Sequence, residues 1–352
     1  MPGRLGLGLV ASALVCAAPA FAQSRLFADD APIAVTLTGP FGELVRTARG
    51  TPKPYPATLA LTEAAGAPQT FAISMQARGY SRRTLGYCRF PPLFLKFDKA
   101  QVKGTLFAHQ KKLKLVTYCN PAPDYDQHIV LEYLAYRLYN LVTPISFRVR
   151  AAEVTYRASA ADPGLTRFGY LIEDIGDVAD RNGRAELTAA SHQVPPTRLD
   201  AQATARATLF EYMIGNLDWE FLAGPPGAGC CHNGRLLAAP GANAATASDV
   251  VPTPYDYDSS GFVDAPYAEP PEGVPIERVT DRYYHGYCVS TPAMGAVIDE
   301  FRARRAAMTA LIEAEPHLNA TFRAKAERYL ESFFAVLDDP RRVQREINAR
   351  CR

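Results

Sequence analysis

The sequence predicts an α+β fold of two lobes, an N-terminal antiparallel sheet lobe and a mainly helical C-terminal lobe. Three observations carry that expectation. Short β-rich runs crowd the first half, one amphipathic helix interrupts them, and the last third repeats its apolar residues at helical spacing. A length of 352 residues accommodates two lobes sharing a core.

The first residues have the order of a secretory signal. Arg4 gives a positive end, residues 5–20 a short apolar stretch, and Ala20-Phe21-Ala22 a small-x-small cleavage pattern. Cys16 raises a lipoprotein alternative, but Ala13-Leu14-Val15 is a poor lipidation box. The expected division is 1–22 signal peptide, 23–175 sheet lobe with one helix, and 176–352 helical lobe. The expected location is periplasmic or secreted, after cleavage near Ala22. No later segment is long and apolar enough for a stable membrane span.

Residues 33–37, 58–61, 71–75, 93–97 and 112–116 read as strands. In the last of these Leu113 and Leu115 face one way, and Lys112, Lys114 and Val116 the other. Ile129, Leu131, Leu134, Ala135, Leu138 and Leu141 mark a helix that Pro144 ends. Two strands follow at 147–156 and 168–172, around the turn Asp162-Pro163-Gly164. Residues 179–196 read as connector, and 201–214 as a helix stopped by Gly215-Asn216. Loops then dominate up to Tyr255, and 294–314 and 318–337 are amphipathic helices.

The formal net charge is only +2 and the basic residues are dispersed, which argues against nucleic acid and membrane-surface binding. Loss of Cys16 with the signal leaves six cysteines, an even number that reads as disulfides in an exported chain. Cys88 and Cys119 flank strand-like runs and could staple them. Cys230 and Cys231 are adjacent, so each is expected to find a different partner, with Cys288 and Cys351 remaining. A metal site is the competing reading, but no spaced Cys-x-x-Cys pair is present.

Several residues have the chemistry of phosphoryl transfer, which needs a phosphate-covering loop, a lysine, a positioned carboxylate and metal-holding oxygens. Arg78-Gly79-Tyr80-Ser81 follows a strand, and its glycine lets backbone N–H groups approach phosphate. The adjoining Arg82-Arg83 can grip oxygens in pairs. Lys114 lies mid-strand with Glu132 on the next helix, while Lys96 and Lys112 compete for the same role. Asp218 follows a helix stop, where a carboxylate can project into a cleft. Asn233 could ligate magnesium, and Asp256 and Asp258 alternate onto one face of an extended segment beside a turn.

Together these segments resemble the spore coat protein H (CotH) kinase-like family over roughly residues 71–261. The resemblance implies a two-lobed protein-kinase-like fold that binds ATP with Mg2+ or Mn2+ and phosphorylates protein hydroxyls. Lys114 would contact the α- and β-phosphates, held by Glu132, under a loop of Arg78, Gly79 and Ser81. Asp218 would orient the acceptor hydroxyl, and Asn233 and Asp256 would coordinate metal with Asp258 assisting. The chain departs from the family pattern in Tyr255, which stands where tryptophan is common, and in a long, cysteine-bearing stretch between Asp218 and Asn233.

The expected function is thus an exported atypical kinase acting on a protein of the envelope or exterior. The alternative is a binding or scaffold protein with the same fold and no turnover. A third reading, a metal-dependent hydrolase built on Asp218, Asp256 and Asp258, is weakened because none of the six histidines forms a metal-spaced pair.

Overall fold

The computed structural model describes residues 24–62, 68–84 and 86–352. The expected signal segment, with Cys16, lies outside them. In β1 (Ile33–Thr38) the alternate residues Ile33, Val35 and Leu37 are buried, as one inward face requires. The strands β2 (Pro54–Thr62), β3 (Gln69–Ala77), β4 (Leu93–Phe97) and β5 (Lys112–Val116) follow in antiparallel succession. The hairpin of β6 (Val149–Arg157) and β7 (Leu165–Ile172) then attaches through β7 to β5. Its other strand, β6, runs parallel to β1, from Ile33 opposite Ala152 to Thr38 opposite Arg157. The sheet therefore closes in the order β1-β2-β3-β4-β5-β7-β6.

That closure corrects the expected fold class. The sheet is a closed, seven-stranded mixed barrel, not the open antiparallel lobe of a protein-kinase-like fold. The cause is physical. Alternation shows which side of a strand is buried, but not whether both of its edges are paired. The closing partner of β1 is parallel and distant in the chain, so no turn announces it.

Leu37, Leu59, Leu95, Leu113, Leu115, Val154 and Leu171 fill the barrel. Tyr170 and Ile172 of β7 point outward and pack, with Val116, against α3 (Tyr125–Val142), which is buried on nearly all sides. Gly169 allows β7 to lie close to β5, because a Cβ there would come within 2.7 Å of the Val116 carbonyl. The helices α5 (Ala201–Ile214), α6 (Thr291–Glu313) and α7 (Ala320–Leu337) complete the larger core around α3. A small sheet of β8 (Ala185–Glu186), β9 (Gly234–Ala238) and β10 (Val251–Pro254) stands beside them. The short helices Phe41–Thr47, Ser81–Thr84, Ile175–Arg181 and Pro340–Glu346 carry too few turns for a periodic signal.

Three cysteine pairs are at disulfide distance: Cys88–Cys119, Cys230–Cys231 and Cys288–Cys351. The expectation that Cys230 and Cys231 find different partners is thereby corrected, for the two neighbours bond each other. Among the described residues no helix is long and apolar enough to cross a membrane. The Cys88–Cys119 bridge spans a sequence separation of 31 and ties the segment after Ser81–Thr84 to the end of β5. Replacing both cysteines with serine is expected to cost about 3–4 kcal/mol through the freed unfolded chain. A urea midpoint unchanged by the double substitution would refute that bridge.

Candidate functional site

A cavity of about 540 Å³ opens where three stretches of chain meet. The stretch after β3 contributes Arg78, Gly79 and Ser81; the connection from α5 to β9 contributes Asp218 at its start and Asn233 at its end; the segment after β10 contributes Asp256 and Asp258. Seven of the nine residues expected from sequence thus share one space. Lys114 and Glu132 are not in its wall.

The local structure explains each placement. Gly215 ends α5 in the left-handed conformation, at φ 63°, and a Cβ there would lie 2.1 Å from the Tyr329 hydroxyl. Past that stop the Asn216 side-chain oxygen accepts from the Asp218 N–H at 3.1 Å, and the Trp219 indole donates to the Asn216 carbonyl at 3.0 Å. This brace aims the Asp218 carboxylate into the cavity. Its Oδ1 lies 2.6 Å from His232 Nε2, and its Oδ2 accepts from Asn233 Nδ2 at 3.0 Å. The hydrogen bond to Asp218 raises the His232 pKa above its ordinary value, against the effect of burial.

Asn233 immediately precedes β9, and Tyr255 immediately follows β10. The antiparallel register continues past Gly234 opposite Pro254, so the Tyr255 N–H donates to the Asn233 carbonyl at 3.1 Å. Asn233 and Asp256 are therefore neighbours. Both adopt left-handed backbone, at φ 46° and 68°, a conformation that Asn and Asp tolerate and that clusters at functional sites. The Asp256 N–H is fixed by the Tyr136 hydroxyl at 2.9 Å.

Beneath the cavity lies Arg82, only 6% exposed. It donates to Asp258 Oδ2 at 2.7 Å, to Glu132 Oε2 at 2.5 Å and to the Tyr267 hydroxyl at 3.0 Å. Burial opposes its charge, but Asp258 and Glu132 hold the guanidinium well above its ordinary value. Glu132 is pushed up to about 7 by burial, despite Arg82 beside it. Burial also works against Asp258, yet Arg82 and the Tyr267 hydroxyl keep it below the usual carboxylate range. Asp256 is raised by burial and then by the charge of Asp258. One buried cation thus serves a surplus of carboxylates.

Sequence reasoning paired Glu132 with Lys114; the structure pairs it with Arg82. Lys114 stands on the outer face of β5, with Nζ 5.0 Å from the Tyr255 ring centroid and 5.5 Å from that of Phe147. Burial, then Arg78 and Arg235, lower its pKa to about 8. Arg82 was legible only as one of two adjacent arginines suited to phosphate, and His232 only as the neighbour of Asn233. Arg235, 4.8 Å from the Tyr255 ring, carried no sequence signal.

The oxygen set suits a hard divalent ion. Among the described residues Asn233 spends its amide nitrogen on Asp218 and keeps its oxygen free, Asp256 makes no side-chain hydrogen bond, and Asp258 Oδ1 has only a 3.5 Å contact to Ser259. Among the described residues no group of three or more His, Cys, Asp or Glu is placed to hold a metal ion. A site here would therefore rest on two carboxylates, an amide oxygen and oxygens from substrate or water, the sparse protein ligation magnesium accepts. No protein-family model matches the chain, and no curated protein matches it.

Two substitutions test this electrostatic account. Arg82→Met leaves Glu132 and Asp258 buried without their cation and is expected to cost about 3–5 kcal/mol in chemical denaturation. Lys114→Met should act oppositely. Lysine titrates near 10.5 in the unfolded chain and near 8 in the folded one, so wild-type stability gains as pH rises between those values. The variant should melt higher than wild type at pH 7, with the advantage shrinking from pH 8 to 10; a constant difference would refute the lowered pKa.

Proposed function

We propose that the cavity is the active site of an ATP-dependent phosphotransferase that phosphorylates protein hydroxyl groups with a divalent metal. The observation that carries this reading is the convergence of Arg78, Gly79 and Ser81 with Asp218, Asn233, Asp256 and Asp258 around one space. Basic and backbone donors on one wall suit phosphate oxygens, and carboxylates on the other suit a cation and a proton acceptor.

In this reading Arg78 and the 79–81 backbone bind the donor phosphates, and Lys114 adds charge from behind Tyr255. Mg2+ or Mn2+, held by Asn233, Asp256 and Asp258, would neutralise donor phosphate charge. Asp218 accepts the proton of the acceptor hydroxyl as its oxygen bonds to the transferred phosphorus and ADP leaves. His232 and Asn233 hold both oxygens of Asp218, so the carboxylate needs no reorientation to meet the hydroxyl. Arg82 fixes Asp258 from below. The same reading places the protein in an oxidising compartment, periplasmic or extracellular, where its three cysteine pairs persist.

One observation favours a second reading, a binding or scaffold protein without turnover: Glu132 is committed to Arg82, leaving Lys114 without a carboxylate clamp among the described residues. Transfer of labelled phosphate from ATP separates the two. The phosphotransferase reading expects Asp218→Asn to lower turnover by about 100- to 10,000-fold, with little change in the thermal shift produced by ATP and Mn2+. Undiminished transfer by the variant would remove Asp218 from the role. A thermal shift without any transfer would favour the scaffold.

A further inference from the structure

Across the short helix Ser81–Thr84 from the cavity lies a second pocket, of about 360 Å³. Arg46, Arg49, Arg83 and Arg89 line it, together with Val45, Ala48 and Pro91, and no carboxylate does. This is a local concentration of positive charge in a chain whose net charge is only +2. Arg83 and the residue before it, Arg82, are consecutive but diverge. Arg82 turns inward to Asp258, while Arg83 turns toward the second pocket and donates to the Ala48 carbonyl at 2.6 Å.

The four guanidiniums are not equally occupied. Arg83 is tied to backbone carbonyls, including that of Gly79 at 3.0 Å. Arg46 has a loose, exposed pair with Glu43 at 3.8 Å. Arg49 and Arg89 are exposed and have no hydrogen bond or ion pair among the described residues. Arg49 and Arg89 thus add like charge to the pocket with no carboxylate partner among the described residues, and a ligand bearing several carboxylates would relieve the repulsion. The apolar floor of Val45, Ala48 and Pro91 suits the aliphatic stems of acidic side chains better than a bare inorganic anion.

We infer that this arginine-lined pocket is a docking site for an acidic polypeptide segment that flanks the acceptor hydroxyl. The inference rests on the proposed transfer to protein hydroxyls and supplies its missing specificity element. Arg83 joins the pocket to the Gly79 carbonyl, so an occupied pocket lies against the loop that lines the cavity. Recognition would proceed through charge-assisted, forked hydrogen bonds from Arg49 and Arg89 to carboxylates.

The test is fluorescence anisotropy with the full chain, without nucleotide, using a labelled serine peptide flanked by glutamates and its glutamine counterpart. The acidic peptide should bind more tightly by at least tenfold and weaken as salt is raised. The double variant Arg49→Gln with Arg89→Gln should lose roughly tenfold in affinity, and the Lys pair should recover part of it. Both side chains are exposed, so circular dichroism should be unchanged. Should the double variant fold poorly, the comparison of the two peptides on wild type still decides. Equal binding of the two peptides overturns the inference. So does tighter binding of dextran sulfate or of anionic phospholipid vesicles, either of which would assign the patch to a different polyanion. Phosphoryl transfer to the acidic peptide is measured separately. Its absence, with acidic-peptide binding intact, counts against the proposed activity and leaves the docking site standing.

Discussion

The Arg82 guanidinium joins three stretches of chain that the barrel and the helices would otherwise leave independent. It extends from the short helix after β3, meets Glu132 on α3, and holds Asp258 in the segment after β10. Burying such a trio gives little net stability over apolar residues of the same volume, because desolvation consumes most of the Coulombic gain. What it supplies is position. Once the three groups are buried, removing any one strands the others, so the geometry of the cavity floor is enforced. The Cys88–Cys119 bridge and the stacking of Tyr87 on Tyr267, with centroids 5.1 Å apart, hold the same segment from its far side.

The charges around the cavity are sorted. Carboxylates gather on one side, where Asp256 in the cavity wall and the buried Glu132 are both raised toward the neutral form. Lys114 and Arg235 lie against the Tyr255 ring, and Arg235 joins burial and Arg78 of the cavity wall in lowering Lys114. Each side is costly alone, and each cost would fall on binding the opposite charge. A metal-bound polyanion has both signs. Of these groups Asp256 lines the cavity, whereas Glu132 is committed to its buried pair with Arg82.

How much of this was legible follows from which information is local. The strands, α3 and α5 announced themselves by period, and the turn around Gly215-Asn216 by residue type. Asp218, Asn233, Asp256 and Asp258 were visible because short polar residues beside helix stops and turns stand out. Barrel closure was not, because the β1–β6 pair is a long-range parallel contact. The partner of Glu132 was missed for a related reason. A lysine on the preceding strand was the nearest candidate in the chain, whereas burial selects the donor that can satisfy two carboxylates at once, and a forked guanidinium does so where an ammonium does not. The Cys230–Cys231 bond was missed by assuming that adjacent cysteines must diverge.

The closed barrel changes what the site can do mechanically. A closed barrel has no free edge along which its strands can shear. Its outer wall at β5 and β7 is packed directly onto α3, and α3 in turn onto α6. Lys114 and Glu132 therefore ride on parts of one continuous core, and their separation is fixed by packing. Adjustment to a substrate must come from the segments between elements, the stretch from Arg78 to Phe90 and the loop from Ala223 to Asn233. The first is pinned by Arg82 and a disulfide, and the second returns to the fold through the hydrogen bonds between Glu220 and His232. Arg82 and His232 both line the cavity, so each segment is fixed at a point where it meets that space.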